Sequence, residues 1–395
     1  MINALILLAG GAVAALLLWP RISGARLWRA AITPLASIIG SGFLVLGPVL
    51  EHSYGLYAPL VMALLCLGAY AFGHAIRTNI AARADGGRSA AEGRLETAAS
   101  WSLSLAYVIS VAYYLNLFGA FAVSLTPFDG DTSGRIVTTA VFALILAVGW
   151  TRGFRALERM EQVSVGIKLA VIAGMIAGLA VFFAGRASSG ALALDPPKVT
   201  GWAALTLGFG LIVTVQGFET ARYLGEEYDA RTRRRAMRLA QILSTAIYMI
   251  YIGLIAYLFH PGETQLSETA IIDMMRVVAP VLPALLVAAA LAAQFSAAVA
   301  DTGGAGGLVA ELTRNRIGPR RAYAVLVAVG LALTWFSDIF SIIAYASRAF
   351  AVYYAIQSAI AAVAATGRHR RAQAALFAAL ACLGLAMAVF GTSVE

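Results

Sequence analysis

The sequence predicts an all-α integral membrane protein of about twelve transmembrane helices, and three observations predict it. Its 395 residues are 61% hydrophobic and only 12% charged, about half the charged share of an ordinary soluble domain. Apolar stretches of about 20 residues, long enough to cross a hydrocarbon core as a helix, recur along the chain. They are continuous rather than alternating, which excludes barrel strands, the only other fold that satisfies its backbone polar groups in lipid.

In order, the expected spans run near residues 2–19, 30–53, 55–78, 98–124, 135–150, 162–184, 202–229, 238–259, 277–301, 322–336, 338–364 and 373–391. The first has no cation before its apolar run and no clear small-x-small cleavage pattern after it. An anchoring helix is expected there, not a signal peptide. Residues 1–29 then form an extra N-terminal helix and linker, 30–184 a first block of five helices, 202–364 a second block of five, and 373–395 a last helix. Five is odd, so the second block enters the bilayer from the opposite side, which is the arithmetic of an inverted repeat.

The net charge of +9 is mostly arginine, and its placement sets orientation. Loops around Arg21, Arg83, Arg155, Arg234, Arg320 and Arg370 fall on one side and hold 23 arginines, against only Arg135, Arg186 and Lys198 in the opposite loops. The arginine-rich side is expected to be cytoplasmic, with both termini outside, in a bacterial inner membrane. No soluble basic domain offers a nucleic-acid surface. Cys66 and Cys382 both lie in apolar spans, far apart in sequence, and read as packing residues. The four histidines are scattered without metal spacing, and neither an HExxH motif nor a phosphate-binding loop is present. No metal, no cofactor and no enzymatic activity are expected.

Glycine weakens a helix interior by about 1 kcal/mol relative to alanine, so clusters of it inside a span mark places where the backbone leaves the helical path. The second span contains Ile39-Gly40-Ser41-Gly42. The seventh, first of its own block, contains Gly208-Phe209-Gly210 and then Thr214-Val215-Gln216-Gly217-Phe218-Glu219. A small-residue packing face explains one such cluster. Matched interruptions in both blocks, one beside a carboxylate, point instead to a binding site at the bilayer midplane. Helix N–H groups from Phe43 onward suit a substrate carboxylate, while carbonyls near Thr214 to Gly217 together with Glu219 suit an ammonium. An amino acid or related amine satisfies both. Candidate substrate contacts are therefore Ser37, Ile38, Gly40, Ser41 and Gly42 at the first break and Thr214, Gln216, Gly217 and Glu219 at the second. Tyr113, Tyr114 and Asn116 on the fourth span either line the cavity or pack. Arg348 either clamps a substrate carboxylate or pairs with Glu51.

These stretches resemble the amino acid-polyamine-organocation superfamily of secondary transporters. The likeness rests on Gly40-Ser41-Gly42-Phe43, on Gly153 to Glu158 running through Glu161 and Gln162 to Lys168, and on Gly217-Phe218-Glu219 with Gly225-Glu226-Glu227, before the arginine-rich helix start at 231–238. It spans roughly Ala30 to Ala364. The added N-terminal helix, the single helix after the second block, and Phe43-Leu44 where Ile-Phe is commoner all depart from the family pattern. The resemblance implies the leucine-transporter fold, a five-plus-five inverted repeat working by alternating access. It places Lys168 where sodium-coupled relatives hold a sodium ion, which implies proton coupling, and it likens Glu219 to a cavity glutamate of arginine/agmatine antiporters that responds to protonation. Asp301-Thr302 is similar to the sodium site of neurotransmitter sodium symporters. A Lys168–Asp301 pair is the arrangement expected, with Ser296 and the carbonyls near Ser37 around it. The alternatives are sodium or potassium coupling through Asp301 and Thr302, and a membrane sensor of amino acids that no longer transports.

Overall fold

Hydrocarbon offers backbone amides no water to bond, so apolar runs close their hydrogen bonds internally as helices. The computed structural model describes residues 1–40, 42–84, 89–151, 161–225, 227–260 and 265–394, and every regular element among them is helical. Ser41, Glu226 and the motif at 153–158 lie outside the described residues.

The helices are α1 Ile2–Leu18, α2 Pro20–Ser23, α3 Arg26–Ile38, α4 Gly42–Tyr54, α5 Ala58–Ala84, α6 Ala90–Val123, α7 Asp131–Thr151 and α8 Glu161–Ser188. They continue with α9 Gly201–Gly210, α10 Ala230–Ile255, α11 Ala270–Val278, α12 Leu282–Leu312, α13 Pro319–Phe336, α14 Ile339–Gly367 and α15 Arg371–Phe390. Among the described residues eight helical stretches are long and apolar enough to cross a membrane. The expected twelve separate spans are thus eight long stretches plus shorter pieces, for local reasons. The second and seventh spans are broken at their glycines, α4 and α5 run into each other through the single 3-10 turn Gly55–Tyr57, α1 is short, and α13 spends its first turn on Arg320 and Arg321.

Several ends differ from expectation. Helix α6 starts at Ala90, ahead of the apolar run, because Ser89 and Glu92 form a reciprocal capping box there, Ser89 Oγ accepting from Glu92 N and Glu92 Oε2 from Ser89 N. Helix α12 runs well past the expected end of its span, so Asp301 stands inside a helix and not at its end.

Helix α6 is the axle of the packing: α12, α14 and α7 all lie against it. Helix α10 packs on α3 and α5. Helix α1 lies along α8, where Ile6, its one buried side chain, fits over Gly174 and Gly178. Close approach at small residues is how helices associate in lipid, where apolar burial gives no preference for protein over solvent.

Candidate functional site

Helix α3 stops at Ile39, whose φ of −84° and ψ of 56° leave the helical path, and α4 begins at Gly42. Helix α9 stops at Gly210 and gives way to a 3-10 turn over Ile212–Val215, an extended Gln216, Gly217 in the left-handed region at φ 113°, and a second 3-10 turn over Phe218–Arg222. Only glycine holds such a φ without strain, so Gly217 is the pivot of this break.

The two breaks touch. A Cβ on Gly217 would stand 2.6 Å from the carbonyl carbon of Ser37, and one on Gly42 would stand 2.8 Å from Thr214 Cα. One hydroxyl spans both: Tyr248 Oη of α10 lies 3.0 Å from Ile38 O and 2.6 Å from Thr214 O, carbonyls that the interrupted helices leave over. Gly40 crowds back on its own helix, its Cβ direction meeting Ser37 O at 3.0 Å.

Glu219 is wholly buried beside the pivot. Its Oε2 accepts from Gly217 N and from Tyr354 Oη, each at 3.0 Å. Tyr354 is fixed by stacking between Phe72 and Phe218, ring centroids 5.2 Å away on both sides. Gln216 Nε2 donates to Tyr114 Oη at 2.9 Å, and Tyr113 packs against Tyr114 with its hydroxyl toward Gly42. Glu219 Oε1 and Gln216 Oε1 are buried and have no hydrogen-bond partner among the described residues. Orphaned acceptors of this kind are costly in a dry interior unless something occupies them, and both want an N–H or O–H donor.

Lys168 on α8 sends its ammonium to the end of α3, donating to Ala36 O at 2.9 Å and Ile39 O at 2.7 Å. Asp301 on α12 accepts a hydrogen bond from Ser110 Oγ of α6. Lys168, Asp301, Ser296 and Ser37 line one cavity of about 30 Å³, room for a water or two. Lys168 and Asp301, expected from the sequence as a pair, line the wall of the same cavity. Thr302 turns its hydroxyl to Ala298 O at 2.6 Å, one turn back on its own helix.

Two further candidates have partners of their own. Arg348 donates its Nε to Gly391 O at 2.8 Å and holds the segment after α15, whose Gly391 and Thr392 lie against Gly210 at the end of α9. Asn116 lies beyond the breaks, its Nδ2 bonded to Ala112 O and to Thr334 Oγ1 of α13, both at 2.8 Å.

The structure adds groups absent from the expectation. Tyr248 ties the breaks, Ser110 holds Asp301, and Arg222, buried in the second 3-10 turn, pairs with Glu96 of α6 while its carbonyl accepts from Arg233 Nη1 at 2.6 Å. That turn otherwise packs on α3, α10 and α5, so the ion pair links one packing group to another. The sequence groups Arg222 with the arginines around Arg234, and only the fold shows that it is buried.

Two broken helices that meet at a buried carboxylate, inside an all-helical body with eight candidate spans, define an integral membrane protein with a polar centre. A family model described as an APC superfamily transporter matches residues 20–391, and the chain belongs to that family. It is also 40% identical over 390 residues, 95% of its length and 93% of the other's, to an uncharacterized protein of Aquifex aeolicus (strain VF5).

Proposed function

We propose that the protein is a secondary active transporter that carries an amino acid or related amine by alternating access, coupled to protons through Lys168. The observation that carries this reading is the contact of the two breaks around Glu219. There, freed carbonyls, helix N–H groups and two unpartnered acceptors are concentrated in an otherwise apolar body. The contact leaves no room for an amino acid, so in this reading admission requires the broken helices to part.

Residues 30–184 and 202–364 are then the inverted repeats, with the arginine-rich loops in the cytoplasm, both termini outside and the inner membrane as the location. Lys168 supplies the positive charge that an ion would otherwise bring. Protonated, it clamps the end of α3 to α8 through two charge-assisted hydrogen bonds. Deprotonated, it donates far more weakly and α3 is released.

A thermal-shift screen of the purified protein against amino acids and amines identifies the ligand, because whatever binds the folded state stabilises it by mass action. Uptake of that ligand into proteoliposomes is expected to follow an imposed proton gradient, and Glu219→Gln is expected to abolish it. Uptake indifferent to the gradient removes the coupling claim, and dependence on sodium or potassium over choline moves it to Asp301 and Thr302. Binding without translocation makes the protein a sensor.

A further inference from the structure

At the end of the bundle that bears the arginine-rich loops around Arg83 and Arg370, four helix ends enclose a cavity of about 770 Å³: the end of α5, the start of α6, the end of α14 and the start of α15. None of the residues lining it belongs to either break. Its volume equals roughly 25 water molecules at about 30 Å³ each, so it is sized for a molecular group and not for an ion.

Asn79 is the observation that makes this cavity a site. It lines the wall, is only 2% exposed, and places its Nδ2 2.8 Å from both Gln357 O and Gln357 Oε1. A main-chain carbonyl can only accept, so the nitrogen must be the atom facing Gln357 and the carboxamide oxygen faces away from it. That Oδ1 is buried and has no hydrogen-bond partner among the described residues. An acceptor stranded in a dry wall is costly, and an N–H or O–H donor relieves it.

The rest of the wall narrows what carries the donor. Glu92 in the first turn of α6 and Arg368 just past α14 give it one carboxylate and one guanidinium, the complement of a group with charges of both signs. Most of the other lining side chains are apolar. Val363, Ala375 and Ala378 among them are also exposed on α14 and α15, two helices long and apolar enough to cross a membrane, so hydrocarbon is what meets them. A polar pocket that opens beside a lipid-facing surface suits an amphiphile with a zwitterionic head.

We propose that this crevice binds an aminophospholipid of the leaflet on the arginine-rich side. Its primary ammonium donates to Asn79 Oδ1 and to the Glu92 carboxylate, Arg368 holds its phosphate, and its acyl chains run over Val363, Ala375 and Ala378. A primary ammonium has three N–H groups and a choline head has none, so the site separates lipids that share the same phosphate and tails. The inference needs only the membrane body and stands apart from the transporter reading.

Native mass spectrometry of the full chain, stripped of lipid in detergent, tests it with dioleoyl phosphatidylethanolamine and dioleoyl phosphatidylcholine as probes. A hydrogen bond to a charged group corresponds to about tenfold in affinity or more, so the first ethanolamine lipid is expected to bind at least about tenfold more tightly than the first choline lipid. Glu92→Gln keeps the capping box of α6, which accepts glutamine at that position, and is expected to cut the preference about threefold. Arg368→Gln is expected to weaken both lipids alike, by about threefold, because both carry the phosphate. Asn79→Leu is expected to abolish the preference; it also removes the bonds to Gln357, so Glu92→Gln decides if that variant does not fold. Equal binding of the two lipids, or a preference that neither variant reduces, overturns the proposal. So does stabilisation by O-phosphoethanolamine equal to that by the lipid, since the occupant would then be a free solute.

Discussion

The Lys168 ammonium lies 2.7 Å from the carbonyl of Ile39, the residue at which α3 stops. A charged donor thus closes a carbonyl that helix continuation would have satisfied, and the break and the lysine stabilise each other. Lys168→Met keeps the stem and removes the charge. It is expected to abolish gradient-driven uptake while substrate exchange at equal pH persists, measured on the same proteoliposomes. Full gradient-driven uptake by the variant contradicts the coupling role.

Gly217→Ala is expected to be among the most damaging single-methyl changes in the chain. It forces a φ of 113° on a residue with a Cβ and drives that atom to 2.6 Å from Ser37 backbone. Backbone strain of this kind amounts to about 1–3 kcal/mol before the clash is counted. The thermal midpoint should fall clearly below that of a Gly68→Ala control, where a Cβ meets nothing within 4 Å.

Glu96 and Arg222 predict a coupled pair. Arg222 is buried with its Nη1 already lacking a partner among the described residues, so Glu96→Gln strands a cation. Breaking one side of a buried pair typically destabilises by about 3–5 kcal/mol. Combining it with Arg222→Gln should recover part of that loss, and the double-mutant cycle in thermal stability measures the coupling. Strict additivity would show that the pair contributes nothing.

Asp338 gives a pH-dependent prediction with a definite sign. Its carboxyl is held below its ordinary value of 3.8: burial opposes this, but hydrogen bonds from Ser341 Oγ at 2.5 Å and Ser341 N at 2.9 Å prevail. A depressed folded value means stability present above the unfolded value and lost as pH falls through the folded one. Asp338→Ala, which removes the cap of α14, should lower stability by about 1 kcal/mol at neutral pH. That difference from wild type should shrink below about pH 4. A difference constant from neutral to strongly acid pH would contradict the assignment.

Much of this was written in the chain. Composition and run length give the helical membrane body, and glycine clusters at 40–42 and 208–217 mark both breaks because glycine's local conformational freedom is legible without tertiary knowledge. The partners were not legible in the same way. Nothing in the spacing says that Asp301 meets Ser110 or that Tyr248 joins the breaks, since those contacts depend on how helices far apart in sequence are rotated against each other. Arg348 shows the same limit. A cation in an apolar helix demands a partner, but the sequence does not reveal that a carbonyl of the C-terminal segment provides it. Asn116, expected to line the substrate cavity or to pack, has partners that spacing does not reveal either, Ala112 O and Thr334 Oγ1.

The central claim is that the breaks at Gly42 and Thr214 must separate for the substrate to pass. A cysteine at each position tests it directly: a Cβ on Gly42 stands 2.9 Å from Thr214 Cβ, and a separation of about 1 Å brings the pair to the spacing of a disulfide. Uptake of the ligand found in the stability screen is measured on the Gly42→Cys/Thr214→Cys protein, oxidised and then reduced. The account predicts that uptake is lost on oxidation and regained on reduction, while either single cysteine is insensitive to both. A fully cross-linked protein that transports at the reduced rate would show that the breaks need not part.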